Sequence, residues 1–244
     1  MSRPVVLFGG PSPEHDISIL TGLLAARTLA AAGQEADQVY WSKGGELFAV
    51  DGALEAEDFL EGVPRKARPL RLQIGAEGGI VAEGGGGLGR KSRALDVSAV
   101  VNCCHGGPGE DGSLQGALDL AGIRYTGPSA AGAALGMDKL AFAATVSAAG
   151  LAHLPCVVVD PEGPAPFEGP YIVKPRFGGS SIGIETFGDW DSLAAFWTTD
   201  QPAHADKYEA ARRKAWAELE DVLDMKPKTV LQTGPQPREV PAKK

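Results

Sequence analysis

The apolar positions of the chain fall first into short runs and then into helical spacing. Residues 4–8 (PVVLF) form a continuous apolar β run, which Gly9-Gly10-Pro11-Ser12-Pro13 breaks. From about residue 16 to 32 the spacing predicts a helix, with Ile17, Leu20, Leu24 and Leu29 along one face. Strand, glycine loop and helix in that order make the first half of a βαβ unit. Residues 39–41 and 47–50 read as further strands around a Lys43-Gly44-Gly45 turn. The segment 51–95 reads as a loop with glycine-rich and basic patches, such as 83–87, and one short strand near 80–82. A strand at 97–101, a glycine-rich loop, a helix over 113–121 and a short strand at 123–126 follow. Strands alternating with helices over short links predict an open, mostly parallel α/β sheet.

Gly127-Pro128-Ser129 marks a boundary. Beyond it, 129–149 is alanine-rich and helical, with a break at Gly136-Met137-Asp138. Strands are expected at 154–159 and 171–174, then a glycine loop at 176–181 and a return strand at 182–186. A helix capped by Asp189 follows, with Trp190, Leu193 and Phe196 on one face. The pattern predicts a charged helix at 206–223 with a narrow apolar stripe. The proline-bearing tail 226–244 is expected to be disordered. The domain reading is therefore 1–127, 128–200 and 201–244.

Composition narrows the function classes. Apolar residues make up 43% of the 244, enough for a core, and the net charge of −8 argues against a broad nucleic-acid groove. No long apolar run or signal-peptide pattern occurs, so a cytoplasmic protein without membrane contact is expected. Of the three cysteines, Cys103 and Cys104 are adjacent and read as buried thiols; the spacing suits neither a disulfide framework nor a zinc site.

Four stretches carry candidate chemistry. The loop 102–116, NCCHGGPGEDGSLQG, leaves a strand and packs His105, Glu110 and Asp111 among glycines before opening a helix. Loops at the carboxyl ends of α/β strands are where ligands bind in open sheets; the plain alternative is a glycine-rich turn with a capped helix. The stretch 174–183, KPRFGGSSIG, offers Lys174 and the backbone N–H groups of Gly178, Gly179, Ser180 and Ser181 to phosphate oxygens. It lacks a Walker A ending, and its plain alternative is a hairpin with a solvated lysine. Lys139, after Asp138, would be a second cation for the same phosphates. Glu14, in Glu14-His15-Asp16, stands at the positive end of a helix, where a carboxylate can receive a ligand ammonium or act simply in a capping cluster. His153 and His204 stand alone and read as structural or solvated.

Taken together, VLFGGPSPEHDIS, HGGPGEDGSLQGALDLAGIRYTGPS, MDKLAF and YIVKPRFGGSSIGI, in this order and spacing, closely resemble the D-alanine–D-alanine ligases of the ATP-grasp superfamily. The resemblance runs from about residue 4 to 187. It implies an N-terminal α/β domain followed by the small lobe of an ATP-grasp fold. It further implies that Lys139 and Lys174 bind ATP phosphates under the 178–181 loop, that Glu14 holds the ammonium of the first D-alanine, and that His105 and Ser180 lie near the acyl transfer. The large ATP-grasp lobe, with the magnesium ligands of an E-x-N motif, finds no counterpart after residue 187, so the chain reads as truncated or divergent there. No metal ligands are assigned, although ATP and Mg2+ are the implied cofactors. The carboxylates Glu209, Glu218, Glu220, Asp221 and Asp224 do not form such a motif.

The reaction the resemblance implies is ATP-dependent. One D-alanine carboxylate is phosphorylated, and the amine of a second D-alanine, or a related D-amino or hydroxy acid such as D-serine or D-lactate, displaces phosphate. That chemistry needs cations for phosphate, dipoles for an oxyanion and exclusion of water. Three readings follow. The chain is such a ligase, used in peptidoglycan precursor synthesis, with its large lobe missing, split off or supplied by another polypeptide; or it is a non-catalytic remnant that binds a ligand or a protein; or it is a generic α/β nucleotide-binding domain. A homodimer is a further implication of the resemblance.

Overall fold

The computed structural model describes residues 2–82 and 93–199. The expected helix 206–223, the tail 226–244, the patch 83–87 and the third domain 201–244 lie outside them. The chain divides into two compact units between Pro128 and Ser129.

The N-terminal unit is built on a seven-stranded sheet of order β6-β5-β4-β3-β2-β1-β7. Its strands are β1 (Arg3–Gly9), β2 (Asp37–Trp41), β3 (Leu47–Val50), β4 (Arg68–Gln73), β5 (Gly79–Ala82), β6 (Arg93–Ala94) and β7 (Val97–Asn102). β1 pairs in parallel with β2 on one side and β7 on the other. The unbroken apolar run of β1 has a direct cause: both of its faces are covered. Val5 and Leu7 enter one core layer with Leu114 and Leu118 of α2 (Ser113–Leu120). Val6 and Phe8 enter the other with Ile19 and Leu23 of α1 (His15–Ala31).

The α/β class holds, but the parallel character is confined to the centre of the sheet. From β2 outward every pairing is antiparallel, β2–β3, β3–β4, β4–β5 and β5–β6. The segment expected to be mostly loop thus contributes β4, β5 and β6. The expected strand at 123–126 reduces to a single parallel bridge, Val100 to Tyr125, along the outer edge of β7. The buried face of α1 also differs from the expected one. His15, Ser18, Ile19, Gly22 and Leu23 face the sheet, while Leu24 is 65% exposed. Gly22 explains the rotation: a Cβ there would sit 2.4 Å from the Phe8 side chain, so the helix lies against β1 at a glycine.

The second unit contains α3 (Ala130–Met137), α4 (Lys139–Ala148), the antiparallel pair β8 (Tyr171–Val173) and β9 (Glu185–Phe187), and α5 (Trp190–Thr199). The break between α3 and α4 falls at Asp138, whose carboxylate accepts from the N–H groups of Leu140 and Ala141 and so caps α4. Asp189 caps α5 through the Ser192 N–H at 2.8 Å. A small core joins Tyr171, Val173 and Leu193, with Phe167, Phe187 and Trp190 against it. The expected strand at 154–159 does not form among the described residues. Leu154 is 82% and Val158 71% exposed, and a strand requires a pairing partner that this segment does not find there.

Candidate functional site

In the N-terminal unit, the loops after β1 and β7 emerge side by side from neighbouring parallel strands. Serine side chains tie them together. The Gly9 N–H donates to Ser18 Oγ at 2.6 Å, and Ser18 Oγ–H donates to the Cys103 carbonyl at 2.8 Å. Ser18 is fully buried, so this bond pair is shielded from water. Higher up, Ser12 Oγ accepts from the Glu14 N–H at 2.9 Å and donates to the His105 carbonyl at 2.6 Å.

His15 holds the first loop from behind. Its Nδ1 bonds the Gly10 carbonyl at 2.7 Å, which makes Nδ1 the protonated nitrogen, and its Nε2 accepts from the Tyr40 hydroxyl at 3.1 Å. Burial pushes the His15 pKa down and the Tyr40 pKa up to about 12, so both stay neutral in the physiological range.

His105 points back to α1. Thr21 Oγ1–H donates to the Ile17 carbonyl at 3.1 Å, which leaves Thr21 Oγ1 to accept from His105 Nε2–H at 2.9 Å. His105 Nδ1 lies 3.9 Å from Glu110 Oε1. The other Glu110 oxygen, Oε2, accepts from the Gly106 N–H at 2.9 Å. Asn102 and Gln115 side-chain amides both donate to the Gly109 carbonyl at 3.0 Å, pinning the turn that presents Glu110.

Glu14 and His105, nominated from separate stretches of sequence, belong to one cluster. Gly106 has φ +65°, and a Cβ on it would stand 2.2 Å from Glu14 Oε2 and 2.9 Å from Ser12 Oγ. The Glu14 carboxylate therefore occupies the space that any side chain at 106 would need. Glu14 is also the residue from which α1 starts, where the helix field favours a negative charge. Cys103 and Cys104 lie beneath the loop, with burial lifting their thiols to about 11 and about 12, whereas Cys156 in the second unit is exposed.

The second unit gathers the phosphate candidates. Lys139 Nζ donates to the Gly178 carbonyl at 2.6 Å, and its backbone N–H to the Arg176 carbonyl at 3.1 Å. Arg176 grips the Asp138 carboxylate through Nε at 2.8 Å and through Nη2. That guanidinium bond holds the Asp138 carboxyl down at about 2. Lys174 is exposed at the end of β8, and Gly178, Gly179, Ser180 and Ser181 are exposed beyond it. Gly178 has φ +102°, and Ser180 and Ser181 hold left-handed backbone at φ +52° and +57°. Successive backbone N–H groups in a turn can line an anion-binding concavity. Among the described residues no three His, Cys, Asp or Glu side chains stand together as a metal ion would need. No helix among them is long and apolar enough to cross a membrane.

Sequence reasoning passed over Ser12, Ser18, Thr21 and the Asp138–Arg176 pair. The available signal was the row of small and polar residues, His15, Ser18 and Gly22, on a helix face otherwise read by its leucines.

The class is thus an α/β protein with a mixed sheet. Comparison with known proteins supplies the family. The family model described as D-ala D-ala ligase N-terminus matches residues 3–128, and the chain belongs to the D-alanine–D-alanine ligase family. The D-alanine--D-alanine ligase of Rhodococcus jostii is 33% identical over 221 residues, 84% of this chain and 57% of that protein. The chain thus spans little more than half the length of that relative. Among solved structures, the D-alanine–D-alanine ligase of Helicobacter pylori matches with TM-score 0.67 at 24% identity, over 82% of this chain and 60% of that one. The VanG D-Ala:D-Ser ligase of Enterococcus faecalis matches with TM-score 0.66 at 25% identity and the same coverage.

Proposed function

We propose that the chain forms the amino-acid-binding and phosphate-binding parts of an ATP-dependent D-alanine–D-alanine ligase-type enzyme of the cytoplasm, serving peptidoglycan precursor synthesis. The observation that carries this reading is the Glu14 carboxylate seated against Gly106 beside His105. In this role Glu14 receives the ammonium of the first D-alanine. The carboxylate oxygen of that D-alanine attacks the terminal phosphorus of ATP, and ADP leaves. The amine of the second substrate then attacks the acyl carbon and phosphate leaves. In this reading His105 serves the amino-acid site of the first unit, and Lys139, Lys174 and residues 178–181, Ser180 among them, neutralise the phosphates in the second. Magnesium accompanies ATP in this reading, and the chain's own contribution toward it is the phosphate cradle.

The domain assignment proposed with this function is an α/β domain at 1–127, a small ATP-grasp lobe at 128–200, and a separate segment 201–244. A second polypeptide carrying the large lobe and a homodimer are the partners proposed with it. The exposed Leu154, Val157 and Val158 favour such a partner, and they equally favour the second reading, a non-catalytic module that binds a ligand or a protein. One assay separates the two. The pure chain is incubated with ATP, magnesium and D-alanine, with D-serine and D-lactate as alternative second substrates, and phosphate release is followed. The assay is repeated with the product of the adjacent gene. Turnover in either mixture supports the ligase; none in both leaves the binding module.

A further inference from the structure

Ser12 stands between the two loops of the N-terminal site and has one hydroxyl with two uses. Its oxygen accepts from the Glu14 N–H at 2.9 Å, and its proton goes to the His105 carbonyl at 2.6 Å. One atom therefore fixes the backbone that carries the carboxylate against the backbone that carries the imidazole, across 93 residues of sequence. Gly106 completes the fit from the other side. Its missing Cβ is what lets the second loop close to within contact of both Ser12 Oγ and Glu14 Oε2, and Gly107 is seated likewise, with a Cβ there 3.3 Å from Ser12 Cβ. The deeper Ser18 bridge joins the same two strands but ends at Gly9 and Cys103, short of the functional side chains. The Thr21–His105 bond orients the imidazole and leaves Glu14 untouched.

We propose that Ser12 is a positioning residue, which sets the distance between Glu14 and His105 so that the pair is ready for an amino-acid ammonium before the ligand arrives. The ligand half of this inference rests on the function proposed above; the coupling of the two loops does not. A preformed site avoids the ordering cost that a mobile one would meet on binding.

The test is Ser12→Ala in the full chain, with Ser12→Thr as the variant that keeps the hydroxyl. Amide hydrogen exchange and the imidazole nitrogen resonances are read by NMR, and D-alanine binding by titration. The expected result for Ser12→Ala is faster exchange at the Glu14 N–H together with displaced His105 ring and Gly106 amide resonances. D-alanine affinity falls about fivefold, the loss of one hydrogen bond, and Ser12→Thr restores all of these. If the Glu14 amide responds while His105 and Gly106 stay unmoved, Ser12 only closes its own turn and the proposal is overturned. Glu14→Gln separates the two levels. Should it abolish D-alanine binding while Ser12→Ala leaves binding intact, the positioning role fails and the ammonium site stands. Should Glu14→Gln change nothing, the ammonium site fails, and the ligand-free resonances alone decide the coupling. If Ser12→Ala does not fold, Gly106→Ala probes the same contact from the second loop and should displace the same resonances.

Discussion

The two glycine-bearing sites of this chain are held in opposite ways. The loops of the N-terminal unit grow from parallel strands buried on both faces, and their functional groups are fastened by hydrogen bonds from Ser12, Ser18, Thr21, Asn102 and Gln115. The loop of the second unit leaves a two-stranded ribbon, with Gly178 to Ser181 in the open, and its fastenings are the side chains of Lys139 and Arg176. The same contrast runs through the scaffolds. Val5, Val6, Phe8, Val39 and Val100 have no exposure, whereas α4 buries none of its residues. The lesson concerns preorganisation. Backbone bonds over a sealed core fix the geometry of a loop in advance, while exposed charged side chains leave a loop free to adjust.

Native-state hydrogen exchange gives the largest expected difference. Amides of β1 and β7 should exchange roughly a thousandfold more slowly than those of α4, because opening the former requires unfolding the core. Equal protection would erase the contrast. Next in size, Lys174→Ala should weaken ATP binding roughly ten- to hundredfold, the scale of a lost charged hydrogen bond, with D-alanine binding unchanged; unaltered ATP affinity would refute the phosphate role.

Acid should separate the units by pH window. His15 is held neutral in the native state, with its pKa lowered from 6.5 by burial, so its contribution is present above pH 6.5 and fades as the pH falls below it. Asp138 is held down at about 2 from 3.8, so its contribution persists above pH 3.8 and fades toward pH 2. Melting curves of His15→Gln should therefore flatten only in the first window, and those of Arg176→Ala should lose acid resistance only in the second. The smallest effect is expected from His105→Ala. This half-exposed side chain caps no core, so the melting temperature should move by about 2 °C or less while ligand binding suffers; a large loss of stability would make His105 structural.

Much of this was legible from the chain. The apolar run at 4–8, the glycine break after it and the periodicity of α2 follow from side-chain spacing alone, and the family motifs placed Glu14, His105, Lys139 and Lys174 among the candidates. β4 escaped because RPLRLQ alternates on one face only: Leu70 is buried and Leu72 partly so, while Arg71 between them and Arg68 before them read as solvent. The face of α1 was misjudged because it is chosen by Gly22 meeting Phe8, a contact between elements that hydropathy does not encode. Ser12 was invisible for a similar reason. Its partner lies 93 positions away, and nothing in the spacing of either loop announces the bond.

The cysteines carry a practical consequence. Cys103 and Cys104 are sealed under the first site with their thiols up at about 11 and about 12, so at neutral pH they present neither access nor thiolate. Cys156 is exposed. A thiol-directed dye added to the folded native chain should attach at that one position, giving a fluorescent reporter on the second unit without any engineered substitution.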